Sequence, residues 1–255
     1  MHTTVELAEI AADVLSRIRA RTPRVHCITN SVAQQYTANV LLAAGAVPSM
    51  TISPEEIGSF VGAADSLLVN LGTFDTERRA AIDTAVAAAN AARKPWVLDP
   101  AFIQASPSRA RFARRLLGLR PAVMRLNVAE FAVLAGDDKA GEAPARLAKD
   151  HAIVVALTGA VDRVTDGARL AVIANGDPLM SLVTALGCAG SALVSAALAV
   201  ESDAFIAASA VLTAFAVAGE IAGRDARGPG TFAYAIIDAF YSLDRATLRE
   251  RARVS

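Results

Sequence analysis

From Leu7 to Leu157 the chain alternates stretches of helical apolar periodicity with short runs that are apolar on both faces. Strands of that kind, separated by helices, are satisfied by a mainly parallel sheet covered on each side. The pattern predicts helices over 7–18, from the Asn30-Ser31 cap to 44, and over 55–64, 76–92, 109–118, 128–135 and 145–150. It predicts strands over 25–28, 47–52, 66–70, 95–98, 122–125 and 153–157. A hairpin turning around Gly167 follows, and the remainder reads as helix over 190–200, 204–223 and 232–243. No repeat or linker interrupts the pattern, so one α/β domain is expected over 1–255. Ligands of such sheets lie beyond the carboxyl ends of the strands. Asn30, Met50, Gly72, Asp99, Arg125, Asn127 and Thr158 fall at or just past those ends.

The 25 basic and 25 acidic residues cancel, which argues against a nucleic-acid or anionic-membrane partner. Aromatic residues at 5% further weaken a case for base stacking. With 54% hydrophobic residues and no net charge, burial between subunits is expected, hence an oligomer. Cys27 and Cys188 have no metal-type spacing with His2, His26 and His151, which suits a reducing cytoplasm. The N-terminus carries acids early and lacks the basic region of a secretory leader. Neither a P-loop nor a Gly-x-Ser-x-Gly elbow occurs, and no histidine stands in a convincing nucleophile arrangement.

No charged side chain occurs from Pro178 to Val200, where small residues open into an apolar helix. Three readings compete: a buried soluble helix, a helix start that binds an anion through unpaired amides, and a membrane span. Gly187, Gly190 and the dominance of alanine weaken the last. Elsewhere, Asp99-Pro100 at a strand end suits either Mg²⁺ or the capping of a loop. Arg125 can fork onto phosphate oxygens. Glu130 can orient Mg²⁺ or its waters, or serve as a favourable first-turn acid. Thr158-Gly159 offers a hydroxyl and a flexible turn to a nucleotide phosphate.

Val25-His26-Cys27-Ile28-Thr29-Asn30 and the stretch from Tyr36 to Met50 strongly resemble the hydroxyethylthiazole kinase family. So do Leu71-Gly72-Thr73, Trp96-Val97-Leu98-Asp99-Pro100, Arg125 with Asn127 and Glu130, and Thr158-Gly159 with Asp162. Thr165-Asp166-Gly167, Gly176-Asp177-Pro178-Leu179-Met180 and Gly228-Pro229-Gly230 complete the match in order along nearly the whole chain. The resemblance implies a ribokinase-like three-layer fold, a homotrimer with active sites between subunits, and Mg-ATP phosphorylation of 4-methyl-5-(2-hydroxyethyl)thiazole in thiamine salvage. By position it implies Cys188 as the catalytic residue, where ribokinase relatives carry an aspartate base. It places Asn30, Met50, Gly72 and Ala185 at the thiazole, Arg125, Thr158 and Gly187 at ATP, and Asp99 and Glu130 at Mg²⁺.

Three departures fall at the phosphate end. Ala185-Leu186-Gly187-Cys188 stands where the family reads Gly-Thr-Gly-Cys, so a methyl and a bulky side chain are expected near the phosphates. Leu126 replaces a glycine, and Ala101-Phe102-Ile103-Gln104 replaces a glycine-containing loop. Two other functions suit the same fold: a thiazole- or thiamine-responsive binding protein without transfer chemistry, and a kinase for another small alcohol.

Overall fold

A computed structural model of the protein describes residues 4–135 and 141–255. Its strands are β1 (Arg24–Ile28), β2 (Val47–Ser49), β3 (Ser66–Asn70), β4 (Trp96–Asp99), β5 (Val123–Asn127), β6 (Val154–Thr158), β7 (Asp162–Thr165) and β8 (Leu170–Ile173). They form one sheet in the order β2-β1-β3-β4-β5-β6-β7-β8, parallel from β2 to β6 and antiparallel across β7 and β8. The helices are α1 (Thr4–Arg21), α2 (Gln34–Ala44), α3 (Ile57–Ala63), α4 (Thr76–Ala91), α5 (Pro107–Leu117) and α6 (Val128–Ala135). After them come α7 (Ala143–His151), α8 (Leu186–Leu198), α9 (Ala204–Asp225), α10 (Pro229–Ser242) and α11 (Arg245–Arg251).

Strand alternation divides the interior into two cores. Val25, Cys27, Leu68, Val97, Val123 and Ala156 face the helices α1, α2, α8, α9 and α10. Ile28, Leu67, Val69, Trp96, Leu98, Met124 and Val155 face α3, α4, α5 and α7. Successive strand residues point to opposite faces, so runs apolar at every position are what a doubly covered sheet requires. Helix starts are set locally: Asp75, Ser106, Asp203 and Asp244 each accept first-turn amides of α4, α5, α9 and α11. Gly45, at φ 89°, closes α2 in the left-handed conformation.

Several boundaries differ from the expected ones. β2 stops at Ser49 because it is an edge strand with β1 as its partner, and the chain to Ile52 leaves the ladder. Helix α8 begins at Leu186 and runs through Gly187 and Gly190, since burial of Leu186 and of every residue from Ala189 to Leu198 outweighs the helix cost of two glycines. Helix α11 and the antiparallel bridge from Ile173 to Val254 had no counterpart in the sequence pattern. Within the charge-free stretch before α9, helix α8 is the core segment: it has 13 residues and packs against β3, β4 and α9, whereas the turn Pro178–Leu182 has no buried residue. Among the described residues one helix, α9, is long and apolar enough to cross a membrane, and it lies mostly buried against α1, α8 and α10.

The chain leaves β1 toward β2 on one side and returns with β3 on the other. That reversal opens a crevice at the carboxyl ends of β1 and β3.

Candidate active site

Asn30 and Gly72, two residues past β1 and β3, meet at this crevice. Asn30 Oδ1 accepts from Val32 N at 3.2 Å and from Thr73 Oγ1 at 3.1 Å, which caps the 3-10 turn leading into α2. Asn70, buried at the end of β3, turns its Oδ1 back to Gly72 N at 2.9 Å. A Cβ at Gly72 would stand 2.7 Å from Asn30 Nδ2 and 2.8 Å from Asn70 Oδ1, so glycine alone fits this approach. The other amide end of Asn70 donates to Cys188 Sγ at 3.3 Å, joining the crevice to α8. Met50, just past β2, is half-buried and packs against the core that contains α8.

Asp99, Arg125 and Glu130 lie near one another as a charged group, and the charges of Asp99 and Arg125 also act on Cys188. Asp99 is buried at the end of β4 and accepts from Ser191 Oγ at 2.8 Å. Burial lifts its carboxyl above the usual aspartate range, opposed by the charge of Arg125 and the Ser191 hydrogen bond. Glu130 and Asn127 form a reciprocal cap on α6: Asn127 N donates to Glu130 Oε2 and Glu130 N to Asn127 Oδ1, both at 2.9 Å. Glu130 Oε1 also accepts from Phe102 N at 3.0 Å. Burial again raises the carboxyl, and the nearby Asp99 adds to it. Phe102 adopts φ 62°, the left-handed conformation that glycine adopts freely, so the loop after Asp99 reaches Glu130 without a glycine.

Arg125 lies across the first turn of α8. Its Nη1 donates to Gly187 O at 2.9 Å, and a Cβ at Gly190 would come within 3.3 Å of its Nη2. Its Nε is buried with no hydrogen-bond partner among the described residues. Thr158, at the end of β6 beside Asn127 of β5, donates its hydroxyl to Leu126 O at 3.3 Å.

Ala185 precedes α8 at φ 76°, and no side chain caps the helix. The first bond of α-helical spacing runs from Ala189 N to Ala185 O at 2.9 Å, so the amides of Gly187 and Cys188 have no intrahelical acceptor. The expected bulk of residue 186 at the phosphates is corrected: Leu186 is 3% exposed and belongs to the core beneath α8. Ala185 keeps the backbone shape a glycine would take, at the cost of strain. Cys188 is half-buried. Burial pushes its thiol up to about 12, Asp99 adds to the shift and Arg125 opposes it, so the group is neutral near pH 7.

Among the described residues, no three or more His, Cys, Asp or Glu side chains are grouped closely enough to hold a metal by themselves. Asp99 and Glu130 suit Mg²⁺ all the same. They are two buried hard-oxygen donors whose charges are unfavourable without a cation, and Mg²⁺ commonly takes one or two carboxylates together with substrate phosphates and water. Asn70 and Ser191 were not among the residues singled out by sequence. The signal for Ser191 was its place one helical turn after Cys188. Nothing local marked Asn70.

The sequence model of the hydroxyethylthiazole kinase family matches residues 15–246. The chain belongs to this family. Hydroxyethylthiazole kinase of Granulibacter bethesdensis is 46% identical over 260 residues, covering 97% of this chain and 95% of the relative. That of Rhizobium etli strain CIAT 652 is 45% identical over 256 residues, covering 95% and 99%. The structure of the hydroxyethylthiazole kinase protein from Pyrococcus horikoshii OT3 superposes with a TM-score of 0.92 at 35% identity, covering 96% of this chain and 98% of that one. A ribokinase-like superfamily protein from Enterococcus faecalis, at 14% identity and a TM-score of 0.68, shares the fold over 92% of this chain and 95% of its own. The ribokinase-like α/β fold and the assignment as a kinase therefore stand on full-length kinship.

Proposed function

We propose that this family member transfers the terminal phosphoryl group of Mg-ATP to the hydroxyl of 4-methyl-5-(2-hydroxyethyl)thiazole, serving thiamine salvage. The observation that carries the reading is the position of Cys188. Asn70 links it to the switch-point crevice, while Asp99 and Arg125 flank the same turn of α8.

Asn30, Gly72 and Met50, with Ala185, hold the thiazole at the crevice. Cys188 orients the alcohol oxygen as a neutral thiol and is not asked to be a strong base, because phosphoryl transfer depends mainly on alignment and charge neutralisation. The amides of Gly187 and Cys188, with the positive end of the α8 dipole behind them, face the migrating phosphoryl group. Arg125 and Thr158 hold the nucleotide phosphates. Asp99 and Glu130 would hold Mg²⁺, whose charge would offset that developing on the phosphate oxygens.

One domain, a homotrimer with active sites between subunits, and a cytoplasmic setting complete the proposal. Exposed apolar side chains support the assembly: Val32, Leu42, Tyr234 and Tyr241 lie on the turn before α2, on α2 and on its neighbour α10. The test is incubation with Mg-ATP and the thiazole, followed by mass analysis. ADP and thiazole monophosphate in equal amounts are expected. Thermal stabilisation by the thiazole without ADP would leave a binding protein instead, and turnover confined to other alcohols in a substrate panel would move the acceptor.

A further inference from the structure

His26 lies in the middle of β1, fully buried, and has no part in the scheme above. Its Nδ1 is 2.8 Å from Ser49 Oγ and its Nε2 is 3.0 Å from Thr51 O. These are the two neighbours of Met50. A carbonyl can only accept, so Nε2 carries the proton, and in the neutral ring Nδ1 accepts from the Ser49 hydroxyl. Burial holds the imidazole below the ordinary histidine range, with the Thr51 bond opposing, so this neutral tautomer is the one present near pH 7. Phe60 of α3 packs on the ring with centroids 5.9 Å apart.

Residues 50–53 have no regular structure once β2 ends. Two bonds in this region, Thr51 Oγ1 to Glu56 Oε2 at 2.9 Å and Ser53 N to Thr51 Oγ1 at 3.2 Å, run within the loop and do not tie it to the sheet. His26 does, and it does so on both sides of the residue that matters. We propose that His26 is a positioning residue for the acceptor alcohol: by gripping Ser49 and Thr51 it fixes Met50 at the wall of the thiazole crevice. The inference rests on the reading of Met50 as part of that wall. Any buried neutral imidazole needs one acceptor and one donor as partners; what is particular here is that both partners flank the same residue, Met50.

The experiment measures KM for 4-methyl-5-(2-hydroxyethyl)thiazole and for ATP separately in His26→Ala, His26→Asn, His26→Gln and Met50→Ala, with melting temperatures alongside. His26→Ala should raise KM for the thiazole about tenfold, the loss expected for roughly one buried hydrogen bond, and move KM for ATP less than twofold. The amide of Gln reaches the position of Nε2 and should recover most of the affinity through Thr51, while Asn, reaching Nδ1, should recover the Ser49 side only. Should His26→Ala fail to fold, the Gln and Asn variants carry the same comparison. A lower melting temperature with unchanged KM for the thiazole, or equal rises in both KM values, overturns the inference. If Met50→Ala leaves KM for the thiazole unchanged, the wall itself is misplaced and the inference falls with it, a result distinct from failure at His26 alone.

Discussion

Cys188 and Gly190 occupy the same turn region of α8, and their substitution separates chemistry from folding. The thiol is neutral, so its task is orientation, and that limits what its loss can cost. Cys188→Asp is expected to keep or raise kcat, and Cys188→Ala to lower it without abolishing it. Loss of all turnover in Cys188→Ala, with both substrates still bound, would show that the thiol does more. Gly190 contributes the absence of a side chain. A methyl there would press on the guanidinium of Arg125 at 3.3 Å, while removing glycine from a helix interior stabilises by roughly 1 kcal/mol. Gly190→Ala should therefore melt a few degrees higher and bind ATP severalfold more weakly, as read by thermal melts and ATP titration. Were affinity for ATP unchanged, Arg125 would not be a nucleotide ligand in this geometry.

At the scale of elements, α9 organises the approach to the site although it contributes no residue to it. Gly219 on α9 lets Met180 lie against the helix: a Cβ there would stand 2.5 Å from Met180 Sδ. Met180 belongs to the 3-10 turn Pro178–Leu182 that leads into Ala185 and α8. Gly219→Ala sets the overpacking penalty of about 1–3 kcal/mol against the roughly 1 kcal/mol gained by removing a helix glycine, so a net loss of up to about 2 kcal/mol is expected in denaturant melts, and Met180→Ala in the same chain should recover part of it. The start of α9 offers a pH test. Asp203 accepts from Phe205 N and Ile206 N and pairs with Arg169 Nη1 at 2.6 Å. The Arg169 hydrogen bond, with lesser help from the backbone amides, holds its carboxyl below the usual aspartate range. A lowered acid contributes stability above its unfolded pKa of about 3.9 and loses it as the pH falls through the folded value. Asp203→Asn keeps a capping side chain but drops the charge, so its deficit against the natural protein should be full at pH 7 and shrink in melts taken below about pH 4.

For the whole molecule, the exposed apolar side chains on α2 and α10 predict assembly. Val32, Leu42, Tyr234 and Tyr241 are 69%, 57%, 73% and 70% exposed, while Tyr36 Oη, bonded to Ala233 O at 2.8 Å, fastens the two helices together beneath them. Sedimentation should show a trimer, and Leu42→Glu or Tyr234→Glu should shift it toward monomer with a parallel loss of turnover. A monomeric natural protein with full activity would exclude sites shared between subunits. The doubly covered sheet that carries this surface was legible because burial on two faces leaves its mark on every strand residue, and Ser66–Asn70 and Val128–Ala135 fell where the pattern put them. Boundaries failed where packing overrode local preference, as at the start of α8, or where one edge partner gave out, as at the end of β2.

Alternating apolar runs and the residues at strand ends were enough to establish the class of fold and to single out Asn30, Gly72, Asp99, Arg125 and Thr158. Both follow from short-range rules, pleat periodicity and the direction of parallel strands. Tertiary structure alone decided that Leu186 turns into the core, that Asn70 reaches the sulfur of a residue 118 positions away, and that His26 holds both neighbours of Met50. Hydrogen bonds between segments so distant in the chain depend on how the sheet and α8 pack, and side-chain direction at a helix start depends on the core beneath it. Neither leaves a periodic trace in a one-dimensional string.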